Sequence, residues 1–186
     1  MKIFFAMALS FGLQGCLSSS KNYYVLSVAS QPSSTYTVHK RMIGVEKITV
    51  PGYLYKRELA IAKSSSEITL LGNALWGEDL DEGLTNRLIS FLQKKFNQPD
   101  VYAYPWGIDK QPSIRVSVQI TRFIAQGKYV YLDATWSLED LKTKKRKARL
   151  FSTRVASSRD VKSIVKAMDI AFSQFEETVA REIRGF

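Results

Sequence analysis

Two stretches of strict alternation mark the centre of the chain. Apolar residues stand at every second position from Ile114 to Ile120, with polar residues between them. This is the period-two pattern of a strand with one buried face. After a turn at residues 126–128, the same alternation returns over residues 129–138. The pattern predicts an antiparallel hairpin whose polar side stays open to solvent.

Two other stretches repeat their apolar residues at helical spacing. Asp79, with Glu82 three residues later, predicts a capping-box-like helix start. The apolar stripe of that helix consists of Leu80, Leu84, Leu88, Phe91, Leu92 and Phe96. Asp160 is the expected cap of a second helix, whose apolar positions run over residues 161–183. Both patterns are typical of amphipathic helices packed on a sheet.

Shorter apolar segments complete the set of predicted elements. We expect strands at residues 22–28, 42–50, 59–63, 68–71, 101–104 and 149–156. The composition, 45% hydrophobic and 12% aromatic, argues against disorder. Together these features predict a two-layer α+β domain, an antiparallel sheet with two amphipathic helices packed on one face.

The N-terminus has the pattern of an export signal. Lys2 precedes an apolar stretch from Ile3 to Leu13 that is too short to span a bilayer. The one cysteine of the chain, Cys16, follows Leu13-Gln14-Gly15, which resembles the lipobox of bacterial lipoprotein precursors. A plain signal peptide or an N-terminal helix is the alternative. We expect Cys16 to become the lipid-modified N-terminus.

This assignment divides the chain into three parts. Residues 1–15 are the expected lipoprotein signal peptide, residues 16–22 the lipidated cysteine and tether, and residues 23–186 a single α+β domain. No later run of about 18 apolar residues exists, so we expect the lipid to attach the chain to its membrane. Leu17 follows the cysteine where enteric bacteria place a retention Asp, which favours the periplasmic face of the outer membrane. The periplasmic face of the inner membrane is the alternative.

Few residues suggest chemistry. One cysteine and one histidine, His39, cannot form the usual catalytic or metal-binding sets. Asp133 has no partner at a spacing that identifies a catalytic dyad. No phosphate-cradling glycine motif or nucleophile motif occurs. We therefore expect no enzyme, no metal site and no cofactor.

The formal charge of +10 becomes +9 once Lys2 leaves with the signal. A basic periplasmic protein meets no nucleic acid, so anionic lipid headgroups or acidic partner surfaces are the expected counterparts; solubility alone is the alternative. The densest cluster lies at a predicted hairpin end, and we call residues 142–147 the basic hairpin. Its candidate binding residues are Lys142, Lys144, Lys145, Arg146 and Lys147. A solvated loop is the alternative. Tyr53 and Leu54 form either an exposed apolar tip for a partner or part of the packing.

Several segments together resemble the auxiliary lipoproteins of ABC-type and MCE (mammalian cell entry) lipid-transport systems, the PqiC/YmbA family. The segments that carry the resemblance are Tyr23-Tyr24-Val25-Leu26, Ile43-Gly44-Val45, Val50-Pro51-Gly52-Tyr53-Leu54, Arg57, Leu75-Trp76-Gly77-Glu78-Asp79-Leu80-Asp81-Glu82-Gly83-Leu84 and Val101-Tyr102-Ala103-Tyr104-Pro105-Trp106. The resemblance spans most of the mature chain, and the strands and helices follow one another in the same order as in the family. The resemblance supplies no catalytic residues.

The resemblance implies a non-enzymatic partner in lipid trafficking across the bacterial envelope. The implied partners are an MCE-domain tunnel protein between the membranes and its inner-membrane transporter. A structural lipoprotein, such as a pilot for an outer-membrane or secretion complex, is the alternative function. The sequence leaves a homo-oligomer, the transported lipid and the direction of transport open.

Overall fold

The computed structural model describes residues 20–26, 31–36, 41–108 and 111–186. The predicted signal peptide, the lipidation candidate Cys16 and His39 lie outside these residues. No helix in the described ranges is long and apolar enough to cross a membrane.

The described residues form one eight-stranded sheet with two α-helices and a 3-10 turn. The strands are β1 (Asn22–Tyr24), β2 (Ile43–Val45), β3 (Glu58–Ala62), β4 (Ile68–Trp76), β5 (Val101–Ala103), β6 (Ile114–Gln126), β7 (Tyr129–Asp140) and β8 (Arg146–Ala156). The helices are α1 (Leu80–Phe96) and α2 (Val161–Arg184), and the 3-10 turn covers Gly52–Tyr55. The predicted α+β fold is confirmed. Of the six short predicted strands, three are shorter in the structure (β1, β2 and β5), and two are longer (β4 and β8).

The sheet combines an antiparallel meander with several short parallel pairs. β6, β7 and β8 pair antiparallel along almost their full lengths. The other edge of β6 pairs in parallel with β2 near its start and with β3 near its end. β1 adds to β4 in parallel, and β5 adds to β2 in the same way. The sequence predicted the meander, but it did not predict the parallel pairs.

Both helices lie on one side of the sheet, where the alternating apolar residues meet them. The ring of Trp136 on β7 lies edge-on to Phe175 of α2, with centroids 6.2 Å apart. Phe151 of β8 also packs on the ring of Phe175, with centroids 5.2 Å apart. Full burial of one such side chain contributes about 1.5–3 kcal/mol, so this helix-covered side holds the domain together. We call the opposite side of β6, β7 and β8 the open face.

A β-bulge changes the alternation within β6. The register with β7 shifts between Ile120 and Arg122. As a result Phe123, rather than Arg122, faces the helices, and its ring centroid lies 6.5 Å from that of Phe172. Ile124 therefore belongs to the open face.

The two helices begin differently. The capping-box prediction at Asp79 is wrong in detail, because the Asp79 side chain makes no capping hydrogen bond. Asp81 instead accepts a hydrogen bond from the backbone N–H of Glu82 at 2.8 Å. Asp160 caps α2 as predicted, accepting from the backbone N–H of Ser163 at 2.9 Å.

Candidate functional site

The open face is polar near the start of β6, and its charged side chains form ion pairs and hydrogen bonds with neighbouring side chains. Arg115 forms ion pairs with Glu139 on β7 and with Glu46, at 3.6 Å in the second case. The hydrogen bond with Glu139 is the largest of the effects that raise the pKa of Arg115. Asp133, the one carboxylate considered for chemistry, accepts a hydrogen bond from Ser152 on β8. These contacts give Arg115 and Asp133 structural partners on or beside the sheet.

The basic hairpin connects β7 to β8 and has a defined turn. The Asp140 carboxylate accepts hydrogen bonds from the backbone N–H groups of Thr143 at 2.8 Å and Lys142 at 3.0 Å. Arg41 donates to the same carboxylate at 3.0 Å. The backbone hydrogen bond from Thr143 is the main cause of a lowered pKa at Asp140. The carboxylate therefore stays ionised and fixes the turn that presents the lysines.

The five predicted binding residues of the hairpin do not share one direction. Lys147 is half-buried and pairs with Glu182 near the end of α2. The Nζ of Lys145 lies 5.2 Å from the ring centroid of Phe186. Lys142, Lys144 and Arg146 are exposed, and Arg146 borders an open-face depression of about 260 Å³. The hairpin is thus a basic ridge supported by the C-terminus of α2.

Tyr53 and Leu54 lie in the 3-10 turn, and the structure places them largely in the packing. Leu54 is 3% exposed and belongs to the core. The Tyr53 hydroxyl accepts a hydrogen bond from the backbone N–H of Phe123 at 3.1 Å, and burial raises its pKa. Tyr55 is the exposed member of this turn. The packing alternative therefore describes Tyr53 and Leu54, which lie far from the basic hairpin.

Arg87 of α1, which the sequence analysis did not single out, is completely buried. Its Nε and Nη2 donate to the Glu176 carboxylate of α2 at 3.1–3.3 Å. Its Nη1 donates to the Leu26 carbonyl at 3.1 Å and to the Asp169 carboxylate. Its Nη2 also donates to the Ser173 hydroxyl at 2.7 Å. One side chain therefore joins both helices to the segment that follows β1.

Lys95 makes a second connection of this kind. It is 1% exposed, and its Nζ donates to Glu177 at 3.1 Å and to the Ser34 hydroxyl at 3.3 Å. The same Nζ lies 4.6 Å from the ring centroid of Tyr36. We call the described residues 20–26 and 31–36 the N-terminal strap. Arg87 and Lys95 hold the strap on the helices.

The strand register fixes the direction in which the strap enters the domain. β1 runs parallel to β4, with Asn22 opposite Ala74. β4 is antiparallel to β3, and β3 is parallel to the end of β6, with Ile61 opposite Ala125. β1 therefore runs opposite to β6, toward the basic hairpin. We call the end of the sheet that carries the β6–β7 turn the entry end, and the end that carries the basic hairpin the basic end.

The comparisons agree with this architecture. A family model described as "ABC-type transport auxiliary lipoprotein component" matches residues 24–180. The chain belongs to this family. The intermembrane transport lipoprotein PqiC of Escherichia coli (strain K12) is 30% identical over 99% of this chain and 98% of its own length. The same values hold for PqiC of Shigella flexneri.

Solved structures share the fold of this auxiliary lipoprotein. An uncharacterized protein, 25% identical, superposes with a TM-score of 0.72 over 88% of this chain and 99% of that chain. A protein from Xanthomonas campestris, 13% identical, superposes with a TM-score of 0.75 over 88% of this chain and 94% of its own. Within the described ranges, no group of three or more His, Cys, Asp or Glu side chains is arranged to hold a metal ion.

Proposed function

We propose that this auxiliary lipoprotein is a non-enzymatic, membrane-anchored component of an ABC/MCE-type lipid-transport system spanning the bacterial envelope. In this proposal it docks the periplasmic MCE tunnel protein. The observation that carries the proposal is the family match over residues 24–180, together with 30% identity to an intermembrane transport lipoprotein along the whole chain.

Cys16 is the proposed attachment point to the membrane. Several acyl chains on one cysteine would hold the protein firmly, whereas one chain binds only marginally. We expect Cys16→Ala to accumulate as unprocessed precursor. Mass spectrometry of the native protein should show a lipid-modified Cys16 at the N-terminus, and an unmodified mature N-terminus would contradict the anchor.

The proposed location is the periplasmic face of the outer membrane, with the inner membrane as the alternative. The residue after the lipidated cysteine, Leu17, is the basis for this choice. Density separation of the two membranes tests it, and recovery with the inner membrane would contradict it.

The basic end is the proposed docking site for the tunnel protein. Residues 16–21 span at most about 20 Å when fully extended. From the level at which β1 begins, the basic hairpin lies roughly 25 Å further along the strand direction. A partner rising from the opposite membrane would meet the exposed lysines first, and an acidic partner surface would complement them.

Chemical cross-linking of intact envelopes, followed by isolation of the lipidated chain, tests the proposal. We expect the MCE-domain protein and its inner-membrane transporter to be enriched. Enrichment of an outer-membrane secretion or assembly complex instead would favour the pilot-type alternative.

A charge variant connects this result to the basic end. Replacing Lys142, Lys144 and Lys145 with Gln should reduce recovery of the MCE-domain protein. The matched control, Lys56, Lys162 and Lys166 replaced with Gln, removes the same charge from other exposed positions and should leave recovery unchanged. Equal recovery with both variants would contradict docking at the basic end.

A further inference from the structure

The open face changes character between its two ends. At the basic end it is covered by paired polar groups such as Arg115 and Glu139. At the entry end, two aliphatic side chains of β4 stand in solvent, because Ile68 is 46% and Leu70 is 40% exposed. Tyr129, which begins β7, is 36% exposed.

Cross-strand pairing puts these residues on one surface. Ala62 lies opposite both Ile68 and Gln126, and Gln126 lies opposite Tyr129. Directly paired residues share a face of the sheet. Ile68 and Tyr129 are therefore on the open face, on either side of the adjacent ends of β3 and β6.

Two arginines are stacked on the tyrosines of this surface. The guanidinium of Arg122 lies 3.8 Å from the ring centroid of Tyr131, and that of Arg154 lies 5.1 Å from the centroid of Tyr129. The two tyrosine rings are themselves edge-to-face, 6.2 Å apart. Stacking holds the cations beside apolar surface while their N–H groups still reach solvent. We define the entry-end patch as Ile68, Leu70, Arg122, Tyr129, Tyr131 and Arg154.

A groove of about 610 Å³ borders the patch and shares Ile68 and Arg122 with it. Ile68 and Ile124 contribute apolar walls, and Arg122 contributes a cation. The serine turn over residues 64–66 forms a hydroxyl-rich rim. Aliphatic walls, stacked tyrosines and arginines are the side chains that proteins place where lipid headgroups meet acyl chains.

We propose that the entry-end patch rests on the phospholipid headgroup surface of the membrane that holds the anchor. This inference rests on the lipid anchor proposed above. β1 is entered from the entry-end side, and the short segment between Cys16 and Asn22 keeps the start of β1 within about 20 Å of the bilayer. The arginines pair with lipid phosphates, and Ile68 and Leu70 contact the acyl boundary. The domain then stands with its basic end directed away from the membrane.

The test places a fluorescent probe at each end of the lipidated full-length protein. Cys16 is the one native cysteine, so a cysteine introduced at Lys128 or at Thr143 supplies a unique free thiol once Cys16 carries lipid. The proteins are reconstituted in phosphatidylethanolamine vesicles with a minor share of phosphatidylglycerol. Headgroup spin-labelled lipid is the quencher. We expect a blue shift and quenching for the Lys128→Cys probe and neither for the Thr143→Cys probe.

Variants separate contact at the patch from proximity through the anchor. Ile68→Ser with Leu70→Ser should abolish the quenching at position 128. Leu150→Ser is the matched control, because Leu150 is an 84% exposed leucine on the same face outside the patch, and it should leave the quenching intact. All three substituted residues are exposed, so circular dichroism should report an unchanged fold for both variants.

Four outcomes would overturn the inference. Quenching that survives the Ile68 and Leu70 substitutions means that the tether alone sets the distance. Stronger quenching at position 143 than at position 128 means that the basic hairpin, and not the patch, contacts the lipid headgroups. The third outcome is a blue shift of the probe at position 128 in detergent solution without vesicles. If that shift grows with protein concentration, a second copy of the chain covers the patch. A mass that shows no lipid on the chain would rule out the proposed anchor, and with it this orientation of the domain. Recovery of the MCE-domain protein is a separate measurement, so each proposal can fail alone.

Discussion

The helix-covered side and the open face of the sheet use the same side chain for opposite purposes. On the covered side, Arg87 is completely buried and joins α1, α2 and the strap. On the open face, Arg122 is about one-third exposed and lies 3.9 Å from its carboxylate partner Asp133. A buried charge that loses its partners is costly, whereas an exposed pair contributes little to stability. The covered side therefore sets the fold, and the open face is free to serve recognition.

The largest difference should come from the two arginines themselves. We expect Arg87→Ala to lower the free energy of unfolding by about 3–5 kcal/mol, because it leaves the Glu176 carboxylate buried without its cation. Arg122→Ala should lower it by at most about 1 kcal/mol. Urea unfolding followed by circular dichroism measures both. An Arg87→Met and Glu176→Leu double variant should recover part of the loss. Equal losses for the two single variants would contradict the contrast.

Two leucines repeat the comparison without charge. Leu88 of α1 is 0% exposed in the core, whereas Leu150 of β8 is 84% exposed on the open face. We expect Leu88→Ala to cost about 2–5 kcal/mol and Leu150→Ala to cost less than about 0.5 kcal/mol. The midpoints of urea denaturation should separate accordingly. A large loss at Leu150 would mean that the open face is covered in the native protein.

Asp160 offers a smaller, pH-dependent effect. Hydrogen bonds, first from the Ser158 hydroxyl and then from the Ser163 backbone, lower its pKa in the folded protein. A carboxyl group whose pKa is lower in the folded than in the unfolded state stabilises the folded protein at pH values above its unfolded pKa. This stabilisation is lost as the pH falls through the folded-state pKa. Asp160→Ala should therefore be less stable than the parent at neutral pH. The difference should shrink below about pH 4, and a difference constant across this range would contradict the cap.

The smallest effect on stability should come from the basic hairpin. Lys142, Lys144 and Lys145 are exposed, so their replacement with Gln should change the free energy of unfolding by less than about 0.5 kcal/mol. Thermal melts of the triple variant and its parent provide the check. A larger loss of stability would show that the lysines support the structure of the turn. The binding of the variant would then have to be compared at equal concentrations of folded protein.

The sequence predicted best where one physical effect acts alone. The alternation from Ile114 to Ile120 and the stripes of both helices follow directly from one-sided burial. The parallel pairs of β1 and β2 could not be predicted, because such short strands show no period and owe their place to distant neighbours. The bulge near Ile120 was not predicted for a different reason. The alternation was followed only as far as Ile120, and the register shifts directly after that residue.

The candidate site divides in the same way. The basic hairpin was visible as a run of like charges, but the support of Lys147 by Glu182 depends on where α2 ends. Arg87 and Lys95 could not be recognised by residue type alone, because arginine and lysine are mostly exposed in folded proteins. A signal was present in the helical spacing. Arg87 lies three residues after Leu84 and four before Phe91, and Lys95 lies four residues after Phe91, so both fall within the apolar stripe of α1. A cation inside such a stripe indicates a buried ion pair.

In-cell photo-cross-linking from the two ends of the domain tests docking at the basic end most directly. A photoreactive residue is placed at Thr143 in the basic hairpin, and another at exposed Lys162 near the start of α2. We expect the Thr143 position to form an adduct with the MCE-domain protein that disappears when Lys142, Lys144 and Lys145 are replaced with Gln. The Lys162 position should form none. An adduct with that protein from Lys162 but not from Thr143, or lipid adducts from Thr143, would contradict docking at the basic end.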